Sequence, residues 1–281
     1  ERRAYIGFDI PGMPTDVRAT SGLDAITVDW KAPSTLGVNG GYVEPDELTY
    51  NIYTLDLEAL DFVILKEGVK GLSYQPQVPM YGVQDLHYFA VSGVSDVGEG
   101  EYEASNLVIS GAPYTLPFRE SFRKGNLDNS LWWVDTDDCF WPKSYNSADD
   151  IIGSADWTPK EKGTVASFNS GKISLKGAAN PVLRFWHNGV PGLDYHLRLE
   201  VMTPDNKTVE LKDIDYSKLT GDRQWIEEVV DLGDYAAYDF IVLKFLGECN
   251  DKELQRLSFD AVEIYDVLGH NLCAVSTKPT L

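Results

Sequence analysis

Along most of the chain apolar and polar residues alternate in short runs, broken about every ten residues by Gly, Pro, Asn or Asp, and the 3.6-residue period of a helix is nearly absent. The pattern predicts an all-β protein. Ile26, Val28 and Trp30 alternate with Thr27 and Asp29, and Pro33, which lacks the N–H a ladder needs, closes that strand. Leu48, Tyr50 and Ile52 mark a second strand. The Gly-rich and Pro-containing stretch 34–47 between them reads as a surface loop. Phe62 to Leu65, Leu86 to Val94 and Glu103 to Ile109 complete a set of short strands over about a hundred residues, the size of a small β-sandwich. Beyond Tyr114, further strands are expected at Leu183–Trp186, Tyr195–Met202, Val209–Leu211, Glu227–Leu232, Phe240–Leu246 and Leu257–Val267. A jelly-roll sandwich accommodates them.

Length and charge narrow the picture. The 281 residues suit two domains, and 24 basic against 44 acidic residues give a formal charge of −20. Such a chain repels phosphate backbones and anionic lipid, so nucleic acid and direct membrane insertion are excluded as expectations. Both parts share the charge: residues 1–113 hold 17 acidic and 6 basic side chains (−11), which leaves 27 and 18 (−9) for the rest. No apolar run approaches the roughly 20 residues of a membrane span. Cys139, Cys249 and Cys273 are too far apart in sequence to read as a metal cluster or a disulfide framework.

Two resemblances emerge from particular residues. Trp30 with Pro33, the strand Leu48-Thr49-Tyr50-Asn51-Ile52-Tyr53, and Tyr88-Phe89-Ala90-Val91-Ser92-Gly93-Val94 running into Gly98-Glu99-Gly100 resemble a fibronectin type III domain over residues 11–113, with His87 where that family usually has its corner tyrosine. Phe118-Arg119-Glu120-Ser121-Phe122, Asn180 to His187, Trp225 leading to Val230-Asp231-Leu232, and Phe259-Asp260-Ala261-Val262-Glu263-Ile264 resemble the MAM-like, cleaved-adhesin (choice-of-anchor) jelly rolls of gingipain-type surface proteins over residues 114–268. Residues 1–10, with alternating Ala4, Ile6, Phe8 and Ile10, read as the remnant of a preceding segment. Residues 269–281 read as a linker or the opening of a further module.

Chemistry is sparse. The four His lack metal-ligand spacing, and no nucleophile elbow, phosphate loop or dinucleotide fingerprint occurs. Adjacent acids such as Glu227-Glu228 and Asp137-Asp138 point to opposite faces of a strand, so a paired-carboxylate hydrolase is a minor rival and no enzyme is expected. The Asp135-Thr136-Asp137-Asp138 loop concentrates hard oxygen donors. The adhesin resemblance implies a structural calcium held by Glu120, Asp135 or Asp137, and Asp260, with the family's second acid replaced by Ala261. Trp141 and Trp157, among polar turn residues, are the candidate ligand-stacking rings, while Trp132 or Trp133, Trp186 and Trp225 are assigned to the core. The expected function is a non-catalytic adhesion or binding module for extracellular protein or polysaccharide, secreted or at the outer membrane of a Gram-negative bacterium. The alternative is an accessory carbohydrate-binding module of a polysaccharide-degrading enzyme.

Overall fold

The computed structural model describes residues 7–128, 130–149 and 151–267. Contacts divide the chain into two units, Glu1–Ala112 and Pro113–Leu281, each of them all-β. No helix among the described residues is long and apolar enough to cross a membrane.

The first unit contains β1 (Thr15–Ser21), β2 (Ile26–Lys31), β3 (Thr49–Asp56), β4 (Asp61–Val69), β5 (Ser73–Tyr74), β6 (Leu86–His87), β7 (Phe89–Val94), β8 (Glu99–Ala104) and β9 (Val108–Ile109). A three-stranded sheet, β1-β2-β5, and a four-stranded sheet, β4-β3-β7-β8, form an immunoglobulin-like sandwich, with β6 and β9 as a separate pair. The alternation predicted for β2 is present: Ile26, Val28 and Trp30 are buried, whereas Asp29 and Lys31 face water. The Trp30 ring lies 5.2 Å from that of Tyr50, among Ile52, Phe89 and Val91. His87 Nε2 meets Ser110 Oγ at 2.9 Å.

The expected remnant at 1–10 is in part an element of this unit. Phe8 bridges Tyr42, and the buried Asp9 accepts hydrogen bonds from the N–H groups of Ile10, Asn39 and Gly41 and from Asn39 Nδ2 at 2.7–3.0 Å. A buried carboxylate needs such donors, and here three of the four come from the 39–41 turn. The expected strand around Ala4 and the tail at 269–281 lie outside the described residues.

The second unit contains β10 (Phe118–Glu120), β11 (Trp132–Trp133), β12 (Asp138–Cys139), β13 (Trp141–Lys143), β14 (Ser154–Trp157), β15 (Val165–Ser170), β16 (Pro181–Asn188), β17 (Tyr195–Met202), β18 (Thr208–Asp215), β19 (Ile226–Asp231), β20 (Val242–Cys249) and β21 (Leu257–Asp266). They form two sheets, β13-β14-β21-β16-β19 with β10 on β21, and β11-β15-β20-β17-β18 with β12 on β15. This is the jelly-roll sandwich. An aromatic core of Phe122, Trp132, Phe140, Trp157, Phe168, Phe185, Phe245 and Phe259 separates the layers, with Phe245 and Phe259 stacked at 4.1 Å. Gly247 makes room for it: a Cβ there would come within 2.8 Å of the Trp157 ring and 2.9 Å of Phe140.

Candidate functional site

On β14 and β21 the core takes Ala155, Trp157, Leu257 and Phe259, and strand alternation sends Ser154, Asp156, Ser258 and Asp260 to the opposite side of the sheet. Cross-strand pairing then sets Trp141, Asp156, Ser258 and Asn188 in one row across β13, β14, β21 and β16. Trp141 is 58% exposed at the edge of the sheet. Asp156 is buried. Its Oδ1 accepts from Ser154 Oγ at 2.8 Å, while its Oδ2 stands 3.9 Å from Arg256 Nε without completing a hydrogen bond.

Arg256 joins the row to a second exposed ring, because its guanidinium lies 5.2 Å from the centre of Tyr145, which is 62% exposed. Arg223 braces the other side by donating from Nε to Asn188 Oδ1 and from Nη2 to the Arg256 carbonyl at 2.8 Å. Two solvent-facing rings, two guanidinium groups and an amide thus meet along one face. Stacking surface beside hydrogen-bonding groups is what a sugar ring or a flat polar side chain requires.

Next to Ala148 the same sheet hides a carboxylate. Asp260 is fully buried and accepts from Ala148 N at 2.7 Å and Ala261 N at 2.6 Å. Burial pushes its carboxyl up to about 7 against the pull of those N–H groups, and the charges of Asp149 and Asp156 add to the rise. Asp156 and Asp260 share a side of the sheet, but both are out of reach of a substrate, so they do not form the open acid pair of a glycosidase.

The four acids of the expected calcium shell are not brought together. Glu120 and Asp260 occupy paired strands, β10 and β21. Glu120 is fully buried, accepts from Phe122 N, Asp128 N and Ser130 Oγ, and is shifted upward chiefly by burial. Asp135 belongs to the other sheet, where it follows β11 and takes Lys244 Nζ at 2.6 Å; against burial, that ammonium holds its carboxyl low. Asp137 faces solvent. Among the described residues no three His, Cys, Asp or Glu side chains converge as metal ligands, so this set does not fit one ion.

Trp157 also departs from expectation. It is 2% exposed, packed on Phe140 at 5.8 Å, and belongs to the core instead of a ligand face. Trp132 and Trp133 are buried as expected, whereas Trp186 and Trp225 are only half-buried. The sequence did not single out Tyr145, Arg256, Arg223 or Asn188. Positions 145, 188, 223 and 256 share no spacing, and only the strand order makes them neighbours.

No protein-family model matches the sequence, and no curated protein is a significant match. Solved structures do align. The K1 cleaved adhesin domain of Lys-gingipain from Porphyromonas gingivalis is 14% identical, with 54% of this chain and 98% of that domain covered at a TM-score of 0.39. TmCBM61 in complex with β-1,4-galactotriose is 12% identical, covering 53% of this chain and 95% of that one, also at 0.39. The CBM22-1 xylan-binding domain of Paenibacillus barcinonensis Xyn10C is 13% identical, covering 56% and 100%, at 0.33. All are distant likenesses.

Proposed function

We propose that this chain is a non-catalytic binding part of a larger extracellular or cell-surface protein, and that its second unit holds a polysaccharide along the Trp141–Tyr145 face. The observation that carries the reading is the exposure of Trp141. Water contact over more than half of an indole forgoes stabilisation that Trp132, Trp133 and Trp157 obtain by burial. Edge placement leaves the ring open for stacking, and the guanidinium groups of Arg256 and Arg223, the latter oriented by the buried Asn188, supply donors to hydroxyl groups laid across the row. The first unit, with the fibronectin-like sequence pattern, serves as spacer. An adhesin and an accessory module of a polysaccharide-degrading enzyme would use the same face.

Affinity electrophoresis of the full chain through gels containing β-1,4-galactan, xylan or no polysaccharide tests this directly. Retardation in at least one glycan gel is expected, and Trp141→Ala should weaken it at least tenfold. Retention that Trp141→Ala leaves unchanged, or binding to immobilised protein alone, overturns the assignment.

A further inference from the structure

Basic side chains are scarce in this chain, 24 against 44 acidic, yet several meet at the edge that carries Trp141. In β13 the middle residue, Pro142, is buried, and alternation turns Trp141 and Lys143 to the same open side, about 7 Å apart along the strand. The Arg123–Gly125 turn closes on the end of this strand. Lys124 N donates to the Ile152 carbonyl at 2.6 Å, and a Cβ on Gly125 would come within 3.2 Å of the Lys143 carbonyl carbon and of Ser144 N. Arg123, Lys124, Ser144, Ile151 and Ile152 then line an open groove of about 450 Å³. Arg123, Lys124 and Lys143 are all exposed.

The neighbouring acids are already engaged. Asp128 accepts from Ser121 N and Oγ and stands 4.0 Å from Arg123 Nε, Asp149 pairs with Arg119 at 2.9 Å, and Glu120, Asp156 and Asp260 are buried. Asp150 lies outside the described residues. Among those described, no carboxylate forms an ion pair with Lys124 or Lys143. A formal charge of −20 repels an anion at long range, but at physiological salt charges more than about 8 Å apart are largely screened. Close in, the local side chains decide. Ammonium and guanidinium groups bind anionic oxygens through charge-assisted hydrogen bonds roughly twice as strong as neutral ones, and a neutral sugar would leave that strength unused.

We propose, given a sugar stacked on Trp141 as in the proposed function, that the polysaccharide on this face is anionic. A carboxylate or sulfate on the sugars beyond the stacked one meets Lys143 first, and then Arg123 and Lys124 in the groove. Both groups present the same oxygen acceptors to these donors.

Affinity electrophoresis of the full chain at physiological ionic strength tests this with two matched pairs, polygalacturonate against its fully methyl-esterified form and carrageenan against its desulfated form. Retention, measured relative to gels without polysaccharide, should be at least tenfold stronger in at least one acidic gel than in its neutral twin, and the pair that differs tells carboxylate from sulfate. Lys124→Gln combined with Lys143→Gln, with circular dichroism unchanged, should weaken that retention at least tenfold. Lys66→Gln combined with Lys70→Gln, the same loss of charge from exposed sites in the first unit, should change it less than twofold. Trp141-dependent retention that is equal in both members of each pair would overturn the anionic assignment and leave the stacking face standing. Retention in the acidic gels that survives Trp141→Ala would overturn both, as would its absence from every gel. Equal loss with the Lys66 and Lys70 changes would mean nonspecific attraction and overturn the assignment of Lys124 and Lys143.

Discussion

The two units solve the problem of a buried interior differently. In the first, the space between the sheets is apolar, and its buried polar groups, such as Ser21, Asn51, Ser92 and Asp9, each find hydrogen-bond partners. In the second, Glu120 and His187 are buried on the core side of their strands, and Asp156 and Asp260 are buried on the opposite side of the sheet. Burying an ionisable group costs free energy that depends on its protonation, while burying Trp or Phe does not. Both units therefore couple packing to proton occupancy, the first through Asp9, Glu99 and His87 and the second through a larger set of fully buried groups.

Removing the central ring from each core should have the largest effect. Trp30→Ala and Trp157→Ala each empty a site of at least 96% burial, which costs about 3–5 kcal/mol. Two transitions are expected in differential scanning calorimetry, with Trp30→Ala lowering one and Trp157→Ala the other. If either variant moved both transitions together, the units would share one cooperative core and the contrast would collapse.

The pH response should separate the units next. In the second, Asp260 rises from an ordinary 3.8 to about 7 and so stays protonated in the fold. Its contribution is full below 3.8 and lost as pH rises to 7. His187 moves the other way, driven by burial from 6.5 to about 4, so its contribution is full above 6.5 and lost as pH falls through 4. The Asp260 shift is worth about 4 kcal/mol and the His187 shift about 3 kcal/mol, and they oppose one another between 4 and 6.5. In the first unit the carboxylate and imidazole shifts run in one direction: burial depresses His87, and hydrogen bonds outweigh burial to depress Asp9, Asp56 and Glu99. With EDTA present, urea titrations from pH 6.5 to 4.5 should thus show the first unit losing stability while the second, where the raised Asp260, Glu120 and Glu200 oppose His187, does not. Asp260→Asn removes the largest of the opposing shifts. The second unit should then lose about 2 kcal/mol on acidification, and a flat response in that variant would mean that His187 is not buried as a neutral ring.

Which parts of this were legible in the sequence follows from the same contrast. Strand alternation is set by local sterics and one buried face, so Ile26, Val28 and Trp30 announce their orientation without knowledge of a partner. The β-sandwich architecture follows from such runs. What decides between Trp141 and Trp157 is not local: both lie among polar residues, but Gly247, ninety positions beyond Trp157, leaves the slot that takes only one of them. Asp135 is equally instructive. Its loop has the donors of a calcium site, but pairing of β11 with β15 puts it in the sheet that carries Lys244, away from Glu120 and Asp260. Nor does the Phe62–Leu65 run reveal in sequence that it is an edge, because a buried strand and an exposed one can share the same letters.

The smallest expected change sharpens the distinction between a core ring and a surface ring on the same pair of strands. Trp141 and Trp157 belong to strands that pair antiparallel, and the register sets Trp141 opposite Asp156, the residue before Trp157. Successive residues of a strand face opposite ways, so Trp141 shares a side with Asp156 and not with Trp157. Truncating Trp157 exposes a cavity among Phe140, Phe259 and Gly247, whereas truncating Trp141 leaves no cavity and loses only the contacts of its covered part. Trp141→Ala should accordingly shift stability by about 1 kcal/mol or less, and Tyr145→Ala, more exposed still, by about 0.5 kcal/mol. Urea midpoints of the second transition measure both. A loss near that of Trp157→Ala would make Trp141 a structural ring and remove the basis for the stacking face, even if glycan binding fell in the same variant, because binding and folding would then be lost together.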